Sequence, residues 1–179
     1  MNHCIYHCML MRILGGPATG DQKSTSGCVL ALEGDNSFAM LGWGSRTQKV
    51  VSRSTTEAEF VSLSAALFSE AIPCQELWQS LIPGITLKIH EDNSAVLAII
   101  SKGYSPQLRH LSKTHRINVA STCDVINDST DVDASYIDTN SQRADIMTKG
   151  LSNQKWLRAL ELLKFARETL DSLPKSETK

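Results

Sequence analysis

The chain has 179 residues, 41% of them hydrophobic and 21% charged, with a net charge of −1. That suits one domain with a real core and excludes both a disordered tail and a globally basic protein, so any nucleic-acid contact must use local basic patches. No apolar run approaches the roughly 20 residues of a membrane span, and the first residues lack the pattern of a secretory signal, so an intracellular chain, cytoplasmic or nuclear, is expected.

Five cysteines, Cys4, Cys8, Cys28, Cys74 and Cys123, form no C-x-x-C pair, which reads as a reduced chain. His3, Cys4, His7 and Cys8 are zinc-ligand types, but no second pair follows at finger spacing, and a bland terminal segment is the simpler reading. Residues 1–14 are rich in Cys, His and Met without clear periodicity, and 15–21 are a loop by composition. Residues 26–32 and 38–43 read as two strands joined by the turn Glu33-Gly34-Asp35-Asn36, a hairpin.

A long helix is expected over 54–81, capped by Ser54 or Thr55 and kinked or split at Pro73. Its apolar stripe centres about 60° from Glu59 and about 100° from Glu57 at helical pitch, which places Glu59 at the border of the buried face and leaves Glu57 as an exposed charge. The alternation over 85–90 predicts a strand. Asp92 stands at its carboxyl end, where α/β sheets place functional groups, and Asn93 or Ser94 can cap a helix over 95–102. Asp92 and Asn93 can equally be caps and nothing more. Further helices are expected over 114–127, from 142 to 149, and over 153–170, where Trp156, Leu157, Leu160 and Leu163 share a face; a last strand is expected over 132–138. The order predicts a mixed α/β sheet with helices packed on it.

A glutamate in a helix, an aspartate at a strand end and an aspartate at a helix start can converge on divalent metal, which prefers hard oxygen ligands. Two such ions about 4 Å apart can activate water and stabilise a leaving oxygen in phosphodiester cleavage. The runs Lys23-Ser24-Thr25-Ser26-Gly27, Trp43-Gly44-Ser45-Arg46-Thr47-Gln48-Lys49, Ser54-Thr55-Thr56-Glu57-Ala58-Glu59-Phe60, Asp92-Asn93-Ser94-Ala95 and Gln142-Arg143-Ala144-Asp145-Ile146-Met147-Thr148-Lys149 carry a specific resemblance. Together they resemble the ribonuclease H domain of the copia-type LTR retrotransposon Pol polyprotein, in the family's order over residues 15–151. His110 and His115, around Lys113, are similar to that family's His-x-Arg-Thr-Lys-His stretch with altered order.

The resemblance implies an α/β, ribonuclease H-like mixed five-stranded sheet flanked by helices. It implies cleavage of the RNA strand of RNA–DNA hybrids with two Mg²⁺ or Mn²⁺ ions during reverse transcription. Glu59, Asp92 and Asp145 match the family's catalytic, metal-binding acids; Thr55 and Thr56 match positions that read the hybrid's backbone, although a capping role would also account for them. The implied partners are the hybrid and the reverse transcriptase domain of the parent polyprotein, which lies outside this chain. The expected organisation is an atypical segment 1–14, a ribonuclease H-like domain 15–151, and a C-terminal helix and tail 152–179.

One departure stands against the match. The family carries a first aspartate on its opening strand, contacting both metals, where this chain has Met11-Arg12-Ile13-Leu14-Gly15-Gly16 and no acid before Asp21. The segment 1–14 reads as a replaced first strand, as a shifted frame or new start would produce, though apolar enough to fill a sheet centre. Arg46, Lys49 and Arg53 form one basic group, and Lys102, Arg109, Lys113 and Arg116 a second; each is a candidate phosphate contact or a solvated surface. Two functions therefore stay open: a ribonuclease H-type endonuclease impaired by the missing aspartate, and a catalytically dead retroelement fragment that keeps the fold and weak nucleic-acid binding. A small-molecule α/β enzyme is a third reading, without a phosphate loop or nucleophile motif to support it.

Overall fold

The computed structural model describes residues 7–10, 23–35, 37–141, 143–148 and 150–165. The expectations for residues 1–6, 11–22 and 166–179 lie outside the described residues. Five strands form one mixed sheet: β1 (His7–Leu10), β2 (Thr25–Gly34), β3 (Ser37–Thr47), β4 (Thr86–Glu91) and β5 (Val132–Tyr136), in the order β3-β2-β1-β4-β5. β2 pairs antiparallel with β1 and β3, while β4 runs parallel to β1 and to β5. The mixed α/β expectation holds. The β2–β3 hairpin carries a bulge, because Leu30 faces Gly42 while Ala31 faces Met40, leaving Leu41 as the extra residue.

Strand alternation divides the apolar residues between two layers. Leu30, Leu87 and Ile89 pack with Phe60, Leu63, Leu67, Val96 and Ile100 on one side. Val29 packs with Ala144 and Leu163 on the other.

The long helix is interrupted, as Pro73 predicts, and the structure shows how. α1 spans Thr55–Ala66 and α2 spans Ile72–Leu81, with a π-helical turn at Leu67–Ala71 between them. The Ile72 N–H bonds back to the Leu67 carbonyl. Pro73 has no N–H to continue an ordinary ladder, and the wider turn absorbs the missing bond without breaking the rod. Ser54, not Thr55, is the cap, accepting the Glu57 N–H at 3.1 Å.

α3 (Ser94–Lys102) starts at Asn93, whose side chain accepts the Ala95 N–H, and ends at Gly103 with φ +76, a conformation glycine adopts without a Cβ clash. Of the helix expected over 114–127 only α5 (Val119–Asn127) forms; a separate short helix, α4 (Leu111–Thr114), ends where it was expected to start, and between them lies a turn in which Arg116 has φ +58. A left-handed residue cannot continue a right-handed helix, and Asn118 caps a new one. The expected helix over 142–149 is instead a 3-10 segment, Arg143–Met147. α6 (Asn153–Leu162) buries Ala159 and Leu160, with Leu163 just beyond it, but leaves Trp156 and Leu157 exposed, contrary to the expected apolar face. Among the described residues no helix is long and apolar enough to cross a membrane.

Candidate functional site

α1 begins beside the carboxyl end of β4, and that junction gathers the acids. Its approach is set by Gln48, which is buried: its amide donates to the Ala58 carbonyl at 2.8 Å and to Ser26 Oγ at 3.0 Å, while its Oε1 accepts from Ser52. One side chain thus ties β2, the loop after β3 and the first turn of α1 together. Sequence reasoning did not single out Gln48, and only its place in the matched run pointed to it.

Glu59 is 8% exposed, and the Asn93 side-chain amide donates to its Oε2. Asn93 also donates its backbone N–H to Glu91 Oε1 at 3.1 Å. Asn93 therefore does more than cap α3, for it joins a carboxylate of α1 to one of β4. Asp92, half-buried, accepts from Thr139 Oγ1 at 3.2 Å and takes no part in capping α3. Thr139 lines a cavity of about 340 Å³ with Asp145, and Lys155 and Arg158 of α6 line it too. The contacts thus run from Glu59 through Asn93 to the residue beside Asp92, and from Asp92 through Thr139 to the cavity that holds Asp145.

Glu91 is the acid that sequence reasoning missed. It is 2% exposed on the same face of β4 as Leu87 and Ile89. The signal was present in the strand's alternation, which carries the buried face one step past Ile89.

Asp145 is positioned by the turn that bears it, fixed at three points. Arg143 makes a two-pronged contact with Glu33, at 3.0 and 3.3 Å, and lies 4.6 Å from the Phe38 ring centre. Ala144 is fully buried against the Val29 layer. Gly27 of β2 sits under Thr148 so closely that a Cβ there would overlap the threonine methyl and stand 3.1 Å from Met147 Cβ. These contacts give the runs around Gly27 and Asp145 a joint physical meaning: one makes room for the other.

Glu57 is a correction. It is 2% exposed, not a surface charge. Its Oε2 accepts the Arg53 N–H at 3.0 Å, and its Oε1 lies 3.0 Å from His110 Nε2 and 3.7 Å from His115 Nε2. The stripe argument presumes one buried face, whereas the first turns of α1 are enclosed on nearly every side, from Glu57 to Ser64. Thr55 is exposed and Thr56 half-buried at the start of the same helix.

Burial holds the His115 imidazole below its ordinary range, opposed by Glu57 and reinforced by His110. Its folded value therefore lies below the unfolded one, and the unfolded chain binds more protons between the two. Stability from this group is complete above about pH 6.5 and is lost as pH falls through the folded value. Thermal unfolding followed from pH 7.5 down to 5 should show a falling midpoint, with a flatter profile in His115→Gln; an unchanged slope in that variant would contradict it. Burial also raises Cys28 and pushes Cys123 up to about 11, as in unreactive structural thiols.

Glu59, Asp92 and Asp145 offer the hard oxygens that magnesium or manganese prefers. Yet among the described residues no group of three or more His, Cys, Asp or Glu side chains is arranged to hold a metal ion. The donors present therefore do not fit a complete two-ion centre. Arg46 and Lys49 line one groove, together with Arg116; Arg53 is exposed just before α1.

No protein-family model and no curated protein matches the sequence. Solved structures similar to this chain include ribonuclease H1 from the halophilic archaeon Halobacterium salinarum NRC-1, at 14% identity and a TM-score of 0.44, covering 80% of this chain and 93% of that one. The PFV ribonuclease H domain aligns at 14% identity and a TM-score of 0.41, covering 89% and 90%. LC11-RNase H1, isolated from compost by a metagenomic approach, aligns at 13% identity and a TM-score of 0.38, covering 96% and 100%.

Proposed function

We propose that this chain is a ribonuclease H-type domain of copia-type retrotransposon origin. Its inherited reaction is cleavage of the RNA strand of RNA–DNA hybrids by two-metal-ion hydrolysis, and this copy is impaired. The observation that carries the reading is the junction of α1 with the carboxyl end of β4. There Glu59 is buried and bonded to Asn93, next to Asp92, and Thr139 leads from Asp92 to the cavity of Asp145. A buried carboxylate beside further acids offers the hard oxygens that suit a divalent cation.

Glu59, Asp92 and Asp145 are the proposed catalytic and metal-binding residues, with Mg²⁺ or Mn²⁺ as the ion. Thr55, Thr56, Arg46, Lys49 and Arg53 are the proposed nucleic-acid contacts. The hybrid and a reverse transcriptase domain of the parent polyprotein are the proposed partners. Impairment follows from the missing acid: positions 11–13 are Met, Arg and Ile, and a cation or apolar group there supplies no anion for divalent metal. The same absence favours the second reading, a catalytically dead fragment that retains the fold and weak nucleic-acid binding.

Incubation of the purified chain with labelled hybrid and Mg²⁺ or Mn²⁺, beside Glu59→Gln, tests the proposal. Slow cleavage that disappears in the variant supports an impaired enzyme. Hybrid binding without any cleavage supports the dead fragment. Cleavage that persists undiminished in Glu59→Gln would contradict the assignment of the site.

A further inference from the structure

We propose that the groove on the side of α1 away from Glu59 is a binding site for a single nucleic-acid strand, separate from the acidic junction. The proposal rests on the reading of Arg46 and Lys49 as nucleic-acid contacts and adds where that contact lies and which form of nucleic acid it takes. The groove, of about 850 Å³, runs between the end of β3, α1 and the turn before α5. On α1 its lining residues Val61, Ser64 and Ala65 lie about 140–240° around the helix axis from Glu59. The groove and Glu59 thus occupy opposite sides of one helix, whereas the structural acid Glu57 lies on the groove side, beneath His115.

Basic residues that are far apart in sequence meet here. Arg46 stands near the end of β3, Lys49 just after it, and Arg116 occupies the left-handed turn between α4 and α5. His115 also lines the groove as a buried imidazole held toward its neutral form, so the cations are Arg46, Lys49 and Arg116, and no carboxylate lines the groove among the described residues. Arg46 does contact Glu70 at 3.4 Å, but both side chains are well exposed, and such pairs exchange readily for a phosphate. The wall also carries Thr47, Asn118 and Ser121, side chains of the kind that bond to phosphate oxygens.

The choice of a single strand comes from Phe68, which lines the groove beside the cations with 44% of its surface exposed and so leaves a ring face open to a planar partner. Cations that track a backbone beside an aromatic that stacks a base are how proteins hold unpaired strands. A duplex keeps its bases stacked on one another and so offers none to Phe68, and oligoglutamate would meet the cations with no ring to stack.

The test is fluorescence anisotropy of the whole chain with a labelled oligothymidylate, in EDTA, at about 50 and 200 mM salt. Lys49→Glu with Arg116→Glu should weaken binding at least tenfold and flatten its salt dependence, and Phe68→Ala should weaken it about tenfold. Lys164→Glu, exposed and outside the groove, should change little. Arg116→Gly serves as the mild variant, because glycine is at ease at φ +58, and it should weaken binding several-fold with the fold intact by circular dichroism. Unaltered binding in these folded groove variants, an equal loss in Lys164→Glu, or equal displacement by oligoglutamate would overturn the proposal. Because the readout needs neither metal nor turnover, its failure is distinct from a failure of hybrid cleavage.

Discussion

Glu57→Ala is expected to lower the unfolding free energy by about 3 kcal/mol, read as a shift in the denaturant midpoint at unchanged slope. The carboxylate is buried, bonded to the Arg53 N–H and set against two imidazoles. Truncation leaves those groups facing a cavity and releases the turn of residues 110–115 from the start of α1. Glu57→Gln keeps the volume and an acceptor oxygen and should cost about 1 kcal/mol. Equal losses in the two variants would show that the buried charge, and not the side-chain volume or a neutral acceptor, is what matters at this position. Glu57 is thus a structural acid beside the proposed catalytic one, two residues away and facing another side of the helix.

Gly27→Val is expected to cost about 3 kcal/mol and to displace the turn that carries Asp145. β2 is held in register with β3 at this position, where Gly27 faces Ser45, so the Thr148 and Met147 side chains must give way. The measurement is paired: an unfolding midpoint, and the amide shifts of residues 143–148 by NMR. A valine accepted without loss of stability and without movement of that turn would contradict the close approach. Ala at the same place makes the smaller overlap and should fall between the two.

The fold was legible where a local pattern decided it. Alternation set β4, Ser54 and Asn93 announced two helix starts, and Pro73 marked the interruption that the π-helical turn fulfils. What escaped depended on tertiary surroundings. Helical pitch could rank Glu59 above Glu57 for burial, but could not show that α1 is enclosed all round. The break between α4 and α5 rests on Arg116 adopting a positive φ, which no residue type there announces. Trp156 and Leu157 share the spacing of Leu160, yet α6 packs against the 3-10 segment Arg143–Met147 and leaves both of them exposed. The candidate site was legible as three acids. Its supports, Gln48, Asn93 and Thr139, were not, because each acts through a contact distant in sequence. Glu91 was within reach of the alternation and was passed over because Asp92 next to it matched the family.

The central claim is that the acids at the end of β4 form a ribonuclease H site lacking one member. The direct measurement is the rate of RNA–DNA hybrid cleavage after aspartate is placed at position 11, 12 or 13, one at a time, relative to the unaltered chain. The account predicts that one of the three raises the rate at least tenfold, and that Glu59→Gln abolishes the gain. No gain at any of the three positions, in variants that fold and bind hybrid, would contradict it.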